Sequence, residues 1–564
     1  MFSPSNLRRL EVASVRIGLL SLSIFACAVL LACGGGSNTT NTGGGGGGGT
    51  GGGPFVASCG NGTPVPASNQ PVWAQWGSNS QHTGAVSVVA QGLVHTYADI
   101  TYDPFVEQEK AATASVYFEP LLTVHEQVPI TDGNDVYMEM KKGSFTKCDA
   151  STGDWSNGGQ CGPNAWNTMG WCEARFTWVG DALTQQWSFE SDWKPEPNGE
   201  YNDVPGYSSM GLAAWEPVFH PALANNFLYV PGAGGTVWKV DKNTGASVSH
   251  INPLSGVAGI IAANTYVAGP LSADANGSIF YNAIQFADPA SGNVWAKNVV
   301  NSWLVTVAPD DSTRVVTYAT LVPGVPTSNG SQRPGLNIAP AIAPDGTLYT
   351  ASRAHMDGTQ TYLVSVNSQT MTANWAVSLS ASGTAAVVDE ASSSPTVLPD
   401  GSVIYGVLSG LGFNGGHSVH FDAAGNFLNS YSFGWDETPA VWAHDGTYSI
   451  VLKDNSLIGF FMTQLDANLN VEWRFQNTTI DAEHPNGYEW CINMAAIDSS
   501  GNVYVNSEDG NVYEIPQGHT GVFTAPTGKM FLNASVGAAY TPLSIGQDGK
   551  IYTQNNGHMI VVGN

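Results

Sequence analysis

Charge is scarce in this chain: Asp, Glu, Lys and Arg make up only 11% of its 564 residues. Basic charge is scarcer still, with 19 Lys and Arg against 45 Asp and Glu and a formal net charge of -26. Such a surface repels nucleic acid and anionic headgroups, so neither is expected as a partner. Low charge combined with a 42% apolar fraction also argues against a disordered chain or a coiled coil.

Cysteine is sparse, and no two of the seven are adjacent. No C-x-x-C-H haem site exists, and the spacings of Cys148, Cys161 and Cys172 fit no common zinc pattern. The G-x-S-x-G spacing of a nucleophile elbow is missing. His417 and His420 stand three apart, but on a strand they point to opposite faces and cannot share a metal. No catalytic residue is assigned.

Long apolar runs are absent after residue 32. The one such run, "IGLLSLSIFACAVLLAC" (17–33), follows Arg8, Arg9 and Arg16. It has the length of an export signal and falls short of a comfortable membrane span. It ends in Leu30-Leu31-Ala32-Cys33, which resembles the lipobox of bacterial lipoproteins, where the signal is cut before a cysteine that then carries lipid. Residues 1–32 are read as a lipoprotein signal peptide and Cys33 as the lipidation site. Gly34 follows, where inner-membrane lipoproteins have Asp, so the resemblance leans to the outer membrane. The stretch "GGGSNTTNTGGGGGGGTGGG" behind Cys33 has nothing to bury, and 33–70 reads as a flexible tether. Export permits disulfides among Cys59, Cys148, Cys161, Cys172 and Cys491, with the pairing open.

What is plentiful is glycine (66), aromatics (10%) and one recurring phrase. "SPTVLPDGSVIYG" (394–406) returns as "APAIAPDGTLYT", "GPLSADANGSIFY", "TPAVWAHDGTYSIV", "NMAAIDSSGNVYV" and "TPLSIGQDGKIYT". Looser copies begin at Glu119 and Glu216, making eight. Their markers, Pro120, Pro217, Pro270, Pro340, Pro395, Pro439, Met494 and Pro542, mostly stand near the 40–50-residue spacing of a propeller blade. Each phrase reads as a small apolar innermost strand, an Asp-Gly or Asn-Gly hairpin and an alternating second strand; two further strands follow. The expected fold is all-β: a single eight-bladed β-propeller of four-stranded antiparallel blades spanning 71–564, behind the signal peptide and tether. A Cys, Trp and Gly-rich insertion occupies 141–172. The last copy is one strand short, and a strand from 93–101 is expected to close the ring.

"SVNSQTMTANW" (365–375), "DKNTG" (241–245) and "DASTG" (149–153) resemble the tryptophan-docking motif of quinoprotein-like propellers, and "WAQWGSNSQHTG" (73–84) resembles the entry segment of the pyrroloquinoline-quinone-binding-like repeat family. The resemblance covers the chain from Trp73 onward. It implies tryptophans wedged between blades, and it offers a pyrroloquinoline quinone (PQQ) and Ca²⁺-dependent oxidoreductase acting on alcohols or sugars as the alternative function. The paired cysteines and haem of many such enzymes are missing here.

Strand order puts the blade-to-blade loops on one face and the Asp-Gly turns on the other. The long insertions, 141–172, 193–217, 323–337 and 477–491, fall on the first face, where long loops on a rigid ring carry function. Trp215, Glu216, Arg333, Asn337, Arg353, His355, Trp435, Asp436, Glu437, Glu489, Trp490 and Asn493 are the candidate ligand-face residues. The expected role is an exported, lipid-anchored binding or scaffolding module of the cell envelope. Its partner would be an envelope protein, a glycan or a small molecule, and no cofactor is assigned.

Overall fold

The computed structural model describes residues 55–56, 71–108, 127–145, 168–194, 219–286, 299–323, 332–354, 357–379, 393–408, 416–434, 437–456, 459–482, 484–490, 492–533 and 543–564. The signal peptide, Cys33, most of the tether and Cys59, Cys148, Cys161 and Cys491 lie outside them. So do Trp215, Glu216, His355, Trp435 and Asp436.

Eight antiparallel sheets form the blades of a propeller. Blade 5 shows how the phrase folds. Thr396–Val397 is the innermost strand, Val403–Leu408 the second, Gly416–Phe421 the third and Phe427–Tyr431 the outermost. The hairpin between the first two closes with Gly401 N–H to Leu398 O (2.9 Å) and Leu398 N–H to Ser402 O (2.8 Å). Gly401 sits at φ 85, and Asp400 Oδ1 accepts the Ser402 N–H. The same pair of backbone bonds recurs at Ala343, Asp274, Asp498 and Gly546. In the first copy the innermost strand is Ile130–Asp132, directly before Gly133. The "EPLLTV" run that begins the copy in the sequence lies outside the described residues.

The ring closes as the short last copy requires. His95–Thr101 pairs antiparallel with His558–Gly563 and becomes the outer strand of blade 8. First and last parts of the chain are thereby locked into one sheet, which removes two open edges. Phe55–Val56, within the stretch read as tether, adds in parallel to Ile100–Thr101.

Blades pack face to face through apolar side chains, and tryptophans fix the contacts. Trp187, on the outer strand of blade 1 (Ala182–Ser191), donates Nε1–H to Lys242 O at 3.1 Å in the "DKNTG" turn of blade 2. Gly245 ends that turn at φ 71, and a Cβ there would stand 2.6 Å from the Trp187 ring. Trp375 of blade 4 likewise donates to Ala423 O of blade 5 at 3.0 Å and lies against Gly425. The wedges expected from the motif are present at both places. The "DASTG" copy lies outside the described residues.

Candidate functional site: a channel closed at one end

Innermost strands of two residues leave backbone groups facing the axis, and buried groups of that kind must be paired. The entry segment pairs them, one blade after another. Trp73 stands in register with Thr131 of blade 1, and Ala74 O accepts Leu223 N–H of blade 2. The Gln75 amide bonds both backbone groups of Ala273 in blade 3. Ser80 O, Gln81 O and Thr83 O then accept Ile342, Val397 and Val441 N–H of blades 4, 5 and 6. Gly84 O accepts Ile497 N–H in blade 7, and Gln91 N–H reaches Gly549 O in blade 8. Residues 73–91 thus circle the whole axis just inside the Asp-Gly turns. Trp73 and Trp76, both fully buried, fill the space within. The turns of this plug place Ser78 and His82 at positive φ. Its sequence was read as a family signature; its action as a plug was not foreseen, because its partners are spread from residue 131 to residue 549.

The opposite end is lined by polar side chains. Second strands begin apolar at the Asp-Gly turn and finish with charge or amides: Glu139 and Lys141 in blade 1, Asn282 and Gln285 in blade 3, Arg353 in blade 4. Lys453, Asp454 and Asn455 in blade 6, Asn506 in blade 7, and Gln554 and Asn555 in blade 8 continue the series, and all are buried. Arg333 and Arg353 stand opposite each other in register on paired strands, 1% and 3% exposed. Arg333 Nη1–H donates to Pro334 O (2.9 Å) and Arg353 Nε–H to Ala354 O (3.3 Å), so both guanidinium groups are engaged with backbone.

Several candidate residues turn out to stitch blades together. Ala339 N–H donates to Ser394 Oγ (3.0 Å), Ser394 N–H to Thr438 Oγ1 (3.0 Å), and Thr438 Oγ1–H to Asn493 Oδ1 (2.9 Å). These positions flank the repeat markers of blades 4 to 7, so Asn493 ends a belt around the channel. Glu437 accepts Lys453 N–H at 2.8 Å, and its carbonyl accepts Ser393 Oγ–H at 2.7 Å. Asn337 holds φ 62 against Gly269, where a Cβ would meet its backbone at 2.9 Å. Trp490 is fully buried against Phe475 and Tyr513, with its backbone bonded twice to the Asn455 amide. Glu489 is half-buried beside it.

Three buried titratable groups are not marked by the sequence. Glu173 stands in register with Glu139 across blade 1, fully buried, with the Gln127 amide at 3.3 Å. Burial pushes its carboxyl well above the usual range. His82 and His220 are fully buried; each donates Nδ1–H to a proline carbonyl, Pro395 at 2.9 Å and Pro221 at 2.7 Å. Burial lowers both to about 4. Their Nε2 atoms, with Trp73 and Trp76 Nε1, have no hydrogen-bond partner among the described residues. An alternating strand read alone does not say which of its faces meets another blade, so the sequence does not mark Glu173; His82 and His220 lie in irregular segments buried by distant parts of the chain.

Cys172 forms a disulfide whose partner lies outside the described residues. Among the described residues, no three His, Cys, Asp or Glu side chains converge at metal-ligand distances. The buried carboxylates at the open end are engaged, Asp454 by Tyr431 and Arg474 and Glu437 by blade 6 backbone. Among the described residues, neither of these two carboxylates is free to hold a calcium ion.

No family model matches the chain, and no curated protein matches it. Solved structures do. A europium-containing methanol dehydrogenase superposes with a TM-score of 0.50 at 10% identity, over 85% of this chain and 89% of that one. The likeness is one of fold. A quinohemoprotein alcohol dehydrogenase from Comamonas testosteroni (TM-score 0.49, 10% identity, 87% and 80% covered) is a second such structure. BamB from Moraxella catarrhalis (0.39, 12%, 70% and 90%) is a third. The eight-bladed propeller fold is what the first of these likenesses supports.

Proposed function

We propose that this chain is an exported, lipid-anchored propeller that serves the bacterial cell envelope as a binding module and takes its ligand or partner at the long-loop face. The observation that carries this reading is the asymmetry of the channel. One end is sealed by bonds to the backbone of all eight blades, and the other gathers buried charged and amide groups. Polar groups converging at a channel mouth suit a small polar ligand or a protein segment inserted there. Cys33 supplies the anchor and the glycine-rich stretch the reach.

The test places a photo-crosslinking residue at Glu489 on the open face and, as a control, at Asp445, which is 97% exposed on the opposite face. In cells, adducts are expected from position 489 and not from 445. A Cys33→Ala chain is expected to leave the membrane fraction. Adducts from 445 alone, or membrane retention without Cys33, reject the reading. A thermal transition raised only by PQQ and Ca²⁺ together, by about 2.7 kcal/mol at a hundred times the dissociation constant, replaces it with the dehydrogenase.

A further inference from the structure

The Asp-Gly face carries a second polar site, independent of the long-loop face. Between blades 3 and 4 lies a groove of about 510 Å³. Its floor is a row of register partners on three strands of blade 3: Phe280, Thr306 and Arg314. The turns carrying Asp274 in blade 3 and Asp345 and Gln369 in blade 4 form its rim.

The two aspartates differ from their counterparts elsewhere in the ring. In each, Oδ1 is held by turn N–H groups: Asn276 and Ser278 on Asp274 (2.9 and 2.8 Å), Thr347 on Asp345 (2.8 Å). The turn aspartates of blades 1, 5, 7 and 8 commit Oδ2, and Asp445 of blade 6 lies 3.8 Å from His444 Nδ1. Asp132 gives it to Lys242 Nζ, Asp400 to Tyr448 Oη, Asp498 to Ala90 N–H and Asp548 to Lys550 Nζ. Asp274 and Asp345 keep Oδ2 without a partner among the described residues, and both border this groove. Arg314 makes no ion pair or hydrogen bond with the described residues. The Thr306 hydroxyl is also unpartnered, although that residue is only 7% exposed. A hydroxyl open to the groove and an exposed guanidinium beside two pre-oriented carboxylate oxygens constitute a site built for something other than the protein itself.

The signs of these groups select the ligand. An anion would meet two carboxylates on a molecule of net charge -26. A cation would satisfy the carboxylates and face Arg314. Hydroxyl groups both donate and accept, so a vicinal diol can give its protons to a carboxylate oxygen while it accepts from Arg314 or an amide. We infer that the groove between blades 3 and 4 binds a neutral saccharide, its hydroxyls donating to Asp274 and Asp345 and accepting from Arg314, with Phe280 beneath the ring.

The experiment titrates the full-length chain, purified in a sugar-free detergent, with neutral mono- to tetrasaccharides of glucose, galactose, mannose and N-acetylglucosamine, read by calorimetry. Asp274→Asn and Asp345→Asn keep the Oδ1 acceptor that shapes each turn and convert only the free oxygen into a donor. Each is expected to weaken saccharide binding ten-fold or more, as is Arg314→Ala. Asp400→Asn, whose Oδ2 faces Tyr448, is expected to leave it unchanged. No saccharide binding, or binding indifferent to Asp274 and Asp345, overturns the inference. A lysine-rich peptide that binds with the same sensitivity, in place of the sugars, also overturns it and assigns the groove to cationic chains.

Discussion

At the scale of single residues, the buried titratable groups make opposite demands on pH. His82 and His220 have folded values of about 4 against 6.5 when exposed. Above pH 6.5 they are neutral in both states. As pH falls from 6.5 toward 4, the unfolded chain takes up protons that the folded chain refuses, and about 3 kcal/mol of stability is lost per histidine. Glu173 acts the other way: above pH 4.5 the unfolded carboxyl ionises while the buried one resists, so its contribution worsens as pH rises. Denaturant unfolding from pH 4 to 8 should therefore give His82→Gln a shallower slope below 6.5 than the parent. Glu173→Gln should exceed the parent in stability at pH 8 and lose that advantage by pH 4.5. Parallel curves for parent and variants would reject these assignments. None of the three was legible in the sequence: Glu173 sits within a strand that reads the same whether it faces water or a neighbouring blade, and His82 and His220 sit in irregular segments whose burial comes from distant blades.

At the scale of elements, the hairpins and the tryptophan wedges separate two uses of glycine. Gly401 stands at φ 85 with open space around its Cβ position, whereas Gly245 at φ 71 abuts Trp187 at 2.6 Å. Gly401→Ala should cost only the left-handed backbone strain, about 1 kcal/mol. Gly245→Ala must also displace an indole from its dock, for a total of about 2–4 kcal/mol. Thermal unfolding of the two variants measures the difference, and equal losses would show that the docked tryptophan adds nothing. The hairpins were legible because turn chemistry is local: an Asp followed by Gly encodes its own conformation. The wedge was legible as a motif, but its direction, from the outer strand of one blade to the turn of the next, comes from the ring.

At the scale of the whole molecule, stability rests on two long-range closures. One is the strand His95–Thr101 in blade 8, and the other is the segment that circles the axis. Gln75 shows what the second is worth. Its amide satisfies the buried N–H and C=O of Ala273, 198 positions away, and Gln75→Leu would leave both unpaired. A loss of about 3 kcal/mol is expected in denaturant unfolding, while Gln91→Leu, at the exposed end of the segment, should cost less than 1 kcal/mol. Equal effects would mean that the plug is not part of the cooperative fold.

The sequence by itself determined the repeat, the blade, the number of blades and the need for a strand near 93–101, because each follows from spacing, alternation and turn residues a few positions apart. Only the tertiary structure decided what the candidate residues do. Asn493 and Glu437 bond across to neighbouring blades, Trp490 packs in a core, and Arg333 meets Arg353 on a paired strand. The sealed end of the channel and the open oxygens of Asp274 and Asp345 were likewise settled only in three dimensions. The seven aspartates at the innermost turns look alike in one dimension, and which keeps a free oxygen depends on the neighbour that the closed ring brings to it.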